Sequence, residues 1–527
     1  MQNSKFYIYL LGLLFILTLN TCSNDDFGHP VVEDKLYEEV LAHFQLQLGE
    51  STSLRSDPDF LNGTTAENKI SSLTFFVIDL DGSNDLDWTR IKYAYVSAPV
   101  NPTTTPIEFS IKTGTGKKRV YVGANMSFDQ IHSFCTKKGK YTSPGNTYDE
   151  VIRDFVDLGN RGIVMFGQVK MKDAPHSPTI EVLGDDVIET KAVLERVVAK
   201  VALTYTRNTE PGVNHAIITD GIGGFIDADS IRFMLNATSK SIDFVQSSRY
   251  YNMSDYIATN GGEAVYHYIK NPIPNFMLYT PGGIPGKPEE SIVYATATIK
   301  LPIEILPGED DPYHLPLGLV ELDPNPTPNP NWHDYSSLYC LENTVNSSGF
   351  ELAPELEELR RGVNTHVVVA AKYVPDAIYH IKVEGKDTTL IQKSITTHGQ
   401  LLDITNNSAD PNGHYTFYAV LIAAATPSTP ALYDYYTYDA KQFKEKGDAT
   451  LPFITYKGGY GYYTTLITQD KPMDEDGHYD LIRNNYYILN AEKFTPPGAV
   501  YPQQLYMLIN SQTVEWKNQE AKEILLD

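Results

Sequence analysis

Residues 21–56 read TCSNDDFGHPVVEDKLYEEVLAHFQLQLGESTSLRS, and this stretch decides what kind of fold the rest of the chain must supply. Phe44-Gln45-Leu46-Gln47-Leu48 alternates apolar and polar side chains, so Phe44, Leu46 and Leu48 share one face of a strand and Gln45 and Gln47 the other. At roughly 1.5–3 kcal/mol for each large apolar side chain buried, three of them anchor such a strand by about 5–9 kcal/mol before entropy. Leu54-Arg55-Ser56 sets one basic residue in the polar run 49–59, which is a trypsin-like cleavage point. A cut between Arg55 and Ser56 ends the covalent hold on the strand. A finished sandwich that loses a strand keeps a groove, and another strand can fill it.

Upstream, Lys5 and the apolar run 6–19 form the n-region and h-region of a signal segment, too short to span a bilayer comfortably. The segment is either an ordinary signal peptide cut near Thr21 or, on the pattern Leu19-Asn20-Thr21-Cys22, a bacterial lipobox that lipidates Cys22. Ser23-Asn24-Asp25-Asp26 is similar to the acidic export signal of Bacteroidota surface lipoproteins. The acidic stretch 23–43 reads as a tether, in which 36–41 allows a helical turn or two.

At 527 residues the chain exceeds what one core usually supports, so two domains are expected. Thirty-six tyrosines, with many Thr and Val, favour strands over helices. A net charge of −24 without a basic stripe disfavours a nucleic-acid partner, and none is expected. Strands are expected over 70–80, 107–111, 118–125 and 193–206, the last one closing the first domain, with a helix over 148–158. The polar stretch 207–216 marks a boundary. Further strands are expected over 230–236, 363–373, 415–424, 461–468, 485–489 and 505–516, and 307–330, rich in Pro, Asp and Asn, reads as a long surface loop. Many short strands and few helices give an all-β pair of sandwiches.

The chain offers no HExxH, GxSxG or Walker A pattern, since Thr113-Gly114-Thr115-Gly116-Lys117-Lys118 lacks the upstream glycine and the hydroxyl after lysine. It reads as a hairpin turn. The thirteen histidines are scattered without metal-ligand spacing, and neither a metal nor a cofactor is expected. The acidic runs 79–85 and 472–477 have the carboxylates for calcium but not the glycine position of an EF-hand, and read as solvated turns. The cluster Tyr433 to Tyr438 reads as a strand edge, or as a platform for sugar rings. With Cys22 lipidated, Cys135 and Cys340 are left as two isolated thiols or one disulfide, the former favoured.

At the far end, Leu505, Met507, Ile509, Val514 and Trp516 lie in an apolar segment long enough to replace the first strand. From the residues alone it is equally the last strand of its own domain. Several motifs then resemble the FimA/Mfa-type fimbrillins, type V pilus subunits of Bacteroidota, and look closest to the Mfa shaft branch. They include the lipobox at Cys22, Leu54-Arg55-Ser56, Lys69-Ile70-Ser71-Ser72-Leu73, Arg119-Val120-Tyr121-Val122 and Leu194-Glu195-Arg196-Val197-Val198. Later matches are Asp229-Ser230-Ile231-Arg232-Phe233, Tyr339-Cys340-Leu341-Glu342-Asn343, Arg361-Gly362-Val363-Asn364, Ile482-Arg483-Asn484-Asn485 and Val514-Glu515-Trp516.

The resemblance implies two tandem transthyretin-like β-sandwich domains with a few short helices. It divides the chain into a lipoprotein signal peptide (1–21), a propeptide with the removable strand (22–55), an N-terminal domain (56–208) and a C-terminal domain (209–527) that includes a donor segment (503–527). It implies an outer-membrane lipoprotein precursor, cut after Arg55 by an Arg-specific surface protease. The product would be a non-enzymatic subunit of a cell-surface fimbrium that polymerises by strand exchange with identical or related subunits. Adhesion to host or bacterial receptors and biofilm formation would follow. A tip or accessory adhesin of the same pilus, or a surface glycan-binding lipoprotein, are the alternatives.

Overall fold

The computed structural model describes residues 39–48, 61–62, 64–96, 106–145, 148–174, 177–205, 215–245 (less 217, 219 and 237), 276–278, 299–300, 320–321, 337–343, 365–405, 415–467 (less 427 and 428), 481–498 and 507–517. The first half gives strands β1 (Glu39–Leu48), β2 (Leu61–Asn62), β3 (Leu73–Leu80), β4 (Leu86–Val96), β5 (Ile107–Gly114), β6 (Gly116–Ala124), β7 (Met165–Met171) and β8 (Val187–Ala192). The second half gives β9 (Val198–Tyr205), β10 (Phe225–Asn236), β11 (Ser337–Leu341), β12 (His366–Val374), β13 (Ala377–Glu384), β14 (Asp387–Ser394), β15 (Phe417–Ala423), β16 (Leu432–Tyr436), β17 (Ile454–Tyr456), β18 (Tyr460–Leu466), β19 (Asn485–Phe494) and β20 (Met507–Lys517). Helices α1 (Phe128–Thr136), α2 (Tyr148–Arg153), α3 (His398–Ile404) and α4 (Tyr438–Gly447) are short. The all-β class is as expected.

The first sheet runs β4-β3-β6-β7-β8-β1-β5, with Ile180–Val182 added on β6 and Glu195–Arg196 on β7. Its end strands β4 and β5 come into contact, so the sheet rolls around an apolar core of Phe44, Leu46, Phe75, Val77, Ile111 and Val122. The β3 run Leu73-Thr74-Phe75-Phe76-Val77-Ile78 is buried throughout because its other face is covered too. There Phe76, Tyr121 and Phe166 pack with Phe134 of α1, and α1 opens with a capping box between Ser127 and Gln130.

The second half is a sandwich of two sheets, β2-β20-β19-β9-β11 and His215–Ala216-β10-β12-β18, over a core that includes Val201, Phe233, Val369, Tyr463 and Leu489. A third sheet, β14-β13-β16-β15-β17, extends it. Val198, Met234, Val368 and Ile488 join the apolar layer under the first sheet, so the two halves share a core.

Several expectations change. The run 193–206 is not one strand of the first domain. Glu195–Arg196 pairs with β7, but β9 pairs in parallel with β19 and antiparallel with β11 in the second half. The chain crosses between sheets at Val197 without a loop, held against Gly167, where a Cβ would lie 1.9 Å from the Val193 carbonyl oxygen. The helix over 148–158 stops at Arg153, and Val156–Asp157 is already extended, although Val151 and Phe155 are buried as the periodicity requires. Residues 39–41, read as permitting a helical turn, belong to β1. The tyrosine cluster is a strand edge only in part: β16 pairs along β15 but meets β13 at the single pair Tyr379↔Tyr436, and Tyr435 and Tyr436 are buried. Cys135 and Cys340 are both free thiols. Within 307–330, only Val320–Glu321 is described, as a pair with β10.

Candidate functional site

The alternation of β1 carries through to its burial. Ala42, Phe44 and Leu46 are at most 1 % exposed, with Val40 and Leu48 half-buried against the same core. The Phe44 ring stacks on Phe109 at 4.8 Å between centroids, and Phe75 stacks on the same Phe109. The other face is polar and tied down. His43 Nδ1 lies 2.7 Å from Ser110 Oγ, Gln45 Nε2 donates to Glu108 Oε1 at 3.3 Å, and Thr190 Oγ1 donates to the Gln45 carbonyl at 3.1 Å.

The position of β1 in the sheet gives these contacts their meaning. It runs antiparallel to β5 from Glu39↔Gly114 to Leu46↔Ile107, and parallel to β8 from His43↔Val187 to Leu48↔Ala192. Among the described residues, the ladder of β5 runs to β1 alone. The far side of β8 is joined to β7 over Val169–Met171 only. Without β1, two strand edges would face each other across an apolar slot. Its ten residues set the length of that slot at about 33 Å, at roughly 3.3 Å per residue.

The candidate replacement, β20, sits quite differently. It pairs antiparallel with β19 from Phe494↔Met507 through Ala491↔Ile509 and Tyr486↔Val514 to Asn485↔Glu515. On its other side, Trp516 and Lys517 pair in parallel with Leu61 and Asn62 of β2. It thus lies next to the end of its own sheet, with the two-residue β2 beyond it, and has eleven residues to the slot's ten. Cys22, Arg55, Ser56 and Leu505 lie outside the described residues.

A polar cluster that sequence reasoning missed fixes the chain just after β2. Glu67 accepts from Lys200 Nζ at 2.9 Å and Tyr339 Oη at 2.5 Å, while its Oε2 accepts from the Thr64 N–H at 2.6 Å. Burial pushes the Glu67 carboxyl up, but Lys200, Tyr339 and Thr64 outweigh that and hold it below the usual range. Arg196, also buried, donates to Asn68 and Asn484, and burial pushes its guanidinium down to about 10 against the pull of Glu67. Next along, buried Asn125 donates to the carbonyls of Lys69 (2.7 Å) and Ile163 (2.8 Å) and accepts from the Ser71 N–H. The sequence signal was Arg196 and Lys200 inside an apolar run, but their partners lie 128 and 133 residues away.

Among the described residues, no group of His, Cys, Asp and Glu could hold a metal ion. In the acidic turn after β3, Asp81 Oδ1 accepts from the N–H groups of Ser83 and Asp85, as a self-capped turn does.

Comparison with known proteins returns one family. Residues 42–172 match the family model described as major fimbrial subunit protein (FimA). No curated protein sequence matches the chain. Among solved structures, it is similar to a fimbrilin (FimA) from Porphyromonas gingivalis W83, at 13 % identity and a TM-score of 0.39, covering 91 % of this chain and 98 % of that one. It is similar also to the tip fimbrial protein Mfa3 from Porphyromonas gingivalis (12 % identity, TM-score 0.33, 91 % of this chain and 100 % of that one). A third is a fimbrial assembly protein from Parabacteroides distasonis (11 %, 0.27, 68 % and 97 %). The matched segment opens inside β1 and closes just past β7, so the likeness to the FimA fimbrial-subunit model takes in most of the first sheet.

Proposed function

We propose that the chain is a structural subunit of a cell-surface fimbrium, made as a lipoprotein on Cys22, cut after Arg55 and polymerised by strand exchange. The observation that carries this reading is the place of β1. It is an interior strand, paired on both edges and filling an apolar core, joined to the rest of the chain through a stretch that contains Arg55. Loss of a strand at a sheet's end would expose one edge, whereas loss of β1 opens a two-sided slot. In this reading the segment 503–527, with Leu505, Met507, Ile509, Val514 and Trp516 as its apolar residues, fills the slot of the next subunit. The domain division near 209 and a role in adhesion and biofilm formation belong to the same proposal. The partners are other pilus subunits, an Arg-specific surface protease, the outer membrane before cleavage, and surface receptors. The glycan-binding alternative has less to stand on at its tyrosine cluster, where Tyr435 and Tyr436 are buried and Tyr438 is exposed.

The deciding experiment is the N-terminal sequence and intact mass of surface-extracted protein, before and after incubation with an Arg-specific protease, with an unboiled gel alongside. A start at Ser56 with a heat-sensitive ladder supports the shaft subunit, and deletion of 505–527 then abolishes the ladder while leaving a folded monomer. Intact Arg55 with a lipidated Cys22 and no ladder overturns it. Labelling confined to fibre ends reassigns the chain to the tip.

A further inference from the structure

We infer that β14 is a docking edge for a second copy of this chain, which pairs with it antiparallel about a two-fold axis at Leu390. β14 ends the third sheet. Among the described residues its ladder runs to β13 alone, from Ala377↔Ser394 to Glu384↔Asp387 without a register shift. The other end of that sheet is β17, which is three residues long. Sheet ends are commonly blunted by shortness, by a bulge or by proline. β17 has the first device, and β14, eight residues long, has none of the three. A long open edge of this kind takes up another strand through its outward N–H and C=O groups.

The occupant follows from the sequence of β14, Asp387-Thr388-Thr389-Leu390-Ile391-Gln392-Lys393-Ser394. In an antiparallel ladder, residues directly opposite each other either both aim their hydrogen-bonding groups at the partner strand or both aim them away. A strand that pairs with its own copy must therefore be centred on a residue and not between two. Centred on Leu390, the ladder sets Asp387 against the partner's Lys393, and Lys393 against the partner's Asp387. Both residues are exposed, and each dimer gains this opposite-charge pair twice. Between them, Thr389 meets the partner's Ile391, and Leu390 meets the partner's Leu390. Centred on Ile391 instead, Lys393 would face Thr389 and Asp387 would fall outside the ladder. The charges thus choose the first register. Leu390 is half-buried and packs on the apolar layer that includes Ile381, Val420 and Tyr436, so the Leu390 contact joins the layers of the two copies. The hairpin 377–394 carries Lys382, Lys386 and Lys393 against Glu384 and Asp387, a net charge of +1. It is spared the repulsion that a net charge of −24 imposes on the chain as a whole. The contact is isologous and uses up the edge, so assembly through it stops at two. Strand exchange would build an open series instead, and the inference does not depend on it.

Sedimentation velocity of the uncut full chain over a range of concentrations tests this. A monomer–dimer equilibrium is expected. Lys393→Glu sets two like-charged pairs across the axis and is expected to raise the dimer dissociation constant roughly tenfold, as is Asp387→Lys. The double variant D387K/K393E reverses both signs and restores the wild-type constant. Thermal unfolding, measured alongside, is expected to stay at the wild-type temperature because both positions are exposed; if a single variant unfolds early, restoration by the double variant still decides. A monomer at every concentration overturns the inference, whether the edge is then open or covered by another segment of the chain. So does a dimer that Lys393→Glu leaves unweakened, or one that the double variant fails to restore.

Discussion

The strands β1 and β20 are of nearly equal length and hold opposite positions. β1 is paired along both edges inside the first sheet, with Ala42, Phe44 and Leu46 out of solvent. β20 is paired along one edge and, among the described residues, on the other at Trp516 and Lys517 alone. A strand's place in the ladder, rather than its length, thus decides what its removal costs. Excising β1 should disrupt the first sheet, whereas excising β20 should trim the second.

The largest expected effect follows directly. Deleting 39–48 from the uncut chain is expected to abolish the cooperative unfolding transition of the first half, read by urea titration of tyrosine fluorescence, while deleting 507–527 leaves that transition in place. Equal losses from the two deletions would break the comparison. Next, Phe44→Ala removes a ring stacked on Phe109 and is expected to cost about 3–5 kcal/mol in the uncut protein. After a cut that releases β1, the same substitution should cost nothing.

Glu67→Ala leaves Lys200 buried without its carboxylate and is expected to cost about 3 kcal/mol by the same titration. Because the folded Glu67 carboxyl lies below its ordinary value of 4.5, its contribution is fully present above that value and is lost as pH falls through the folded value. The effect of Glu67→Ala should therefore shrink in acid.

The smallest effect is at Asp243, whose strand Ser241–Asp243 pairs with Lys140–Thr142 across the two halves. Burial pushes this carboxyl from 3.8 to about 6, with Lys140 and Arg483 pulling the other way. The group's contribution is full below 3.8 and is lost as pH rises through about 6. Asp243→Asn is thus expected to raise the melting temperature at neutral pH and to make no difference at the acid end of that window. A pH-independent offset would contradict the assignment.

What was legible in the sequence follows the same contrast. The period-two pattern of Phe44, Leu46 and Leu48 marked the β1 face because one side of the strand meets the core and the other meets polar neighbours such as Ser110 and Glu108. The strand β9 was legible as a strand but not in its membership. Val198-Ala199-Lys200-Val201-Ala202 is buried on both faces, so no alternation says which sheet it joins, and no turn residue marks the crossing at Val197. Helix α1 was missed because its signal is the cap, Ser127 with Gln130, and not a long apolar stripe. The Glu67 cluster was beyond reach because its members come from four separated segments that only the folded sheet brings together.

The loop-free crossing at Val197 also has a mechanical side. A pull entering through the slot of β1 reaches β8, and Val193 to Val197 then carries it straight into β9, which lies between β19 and β11. No slack peptide intervenes to be drawn out first. Tension along β9 loads its ladder bonds together, in shear, and the shared apolar layer resists separation of the two halves. Under load, such a chain stretches as one stiff element and not as two beads on a string.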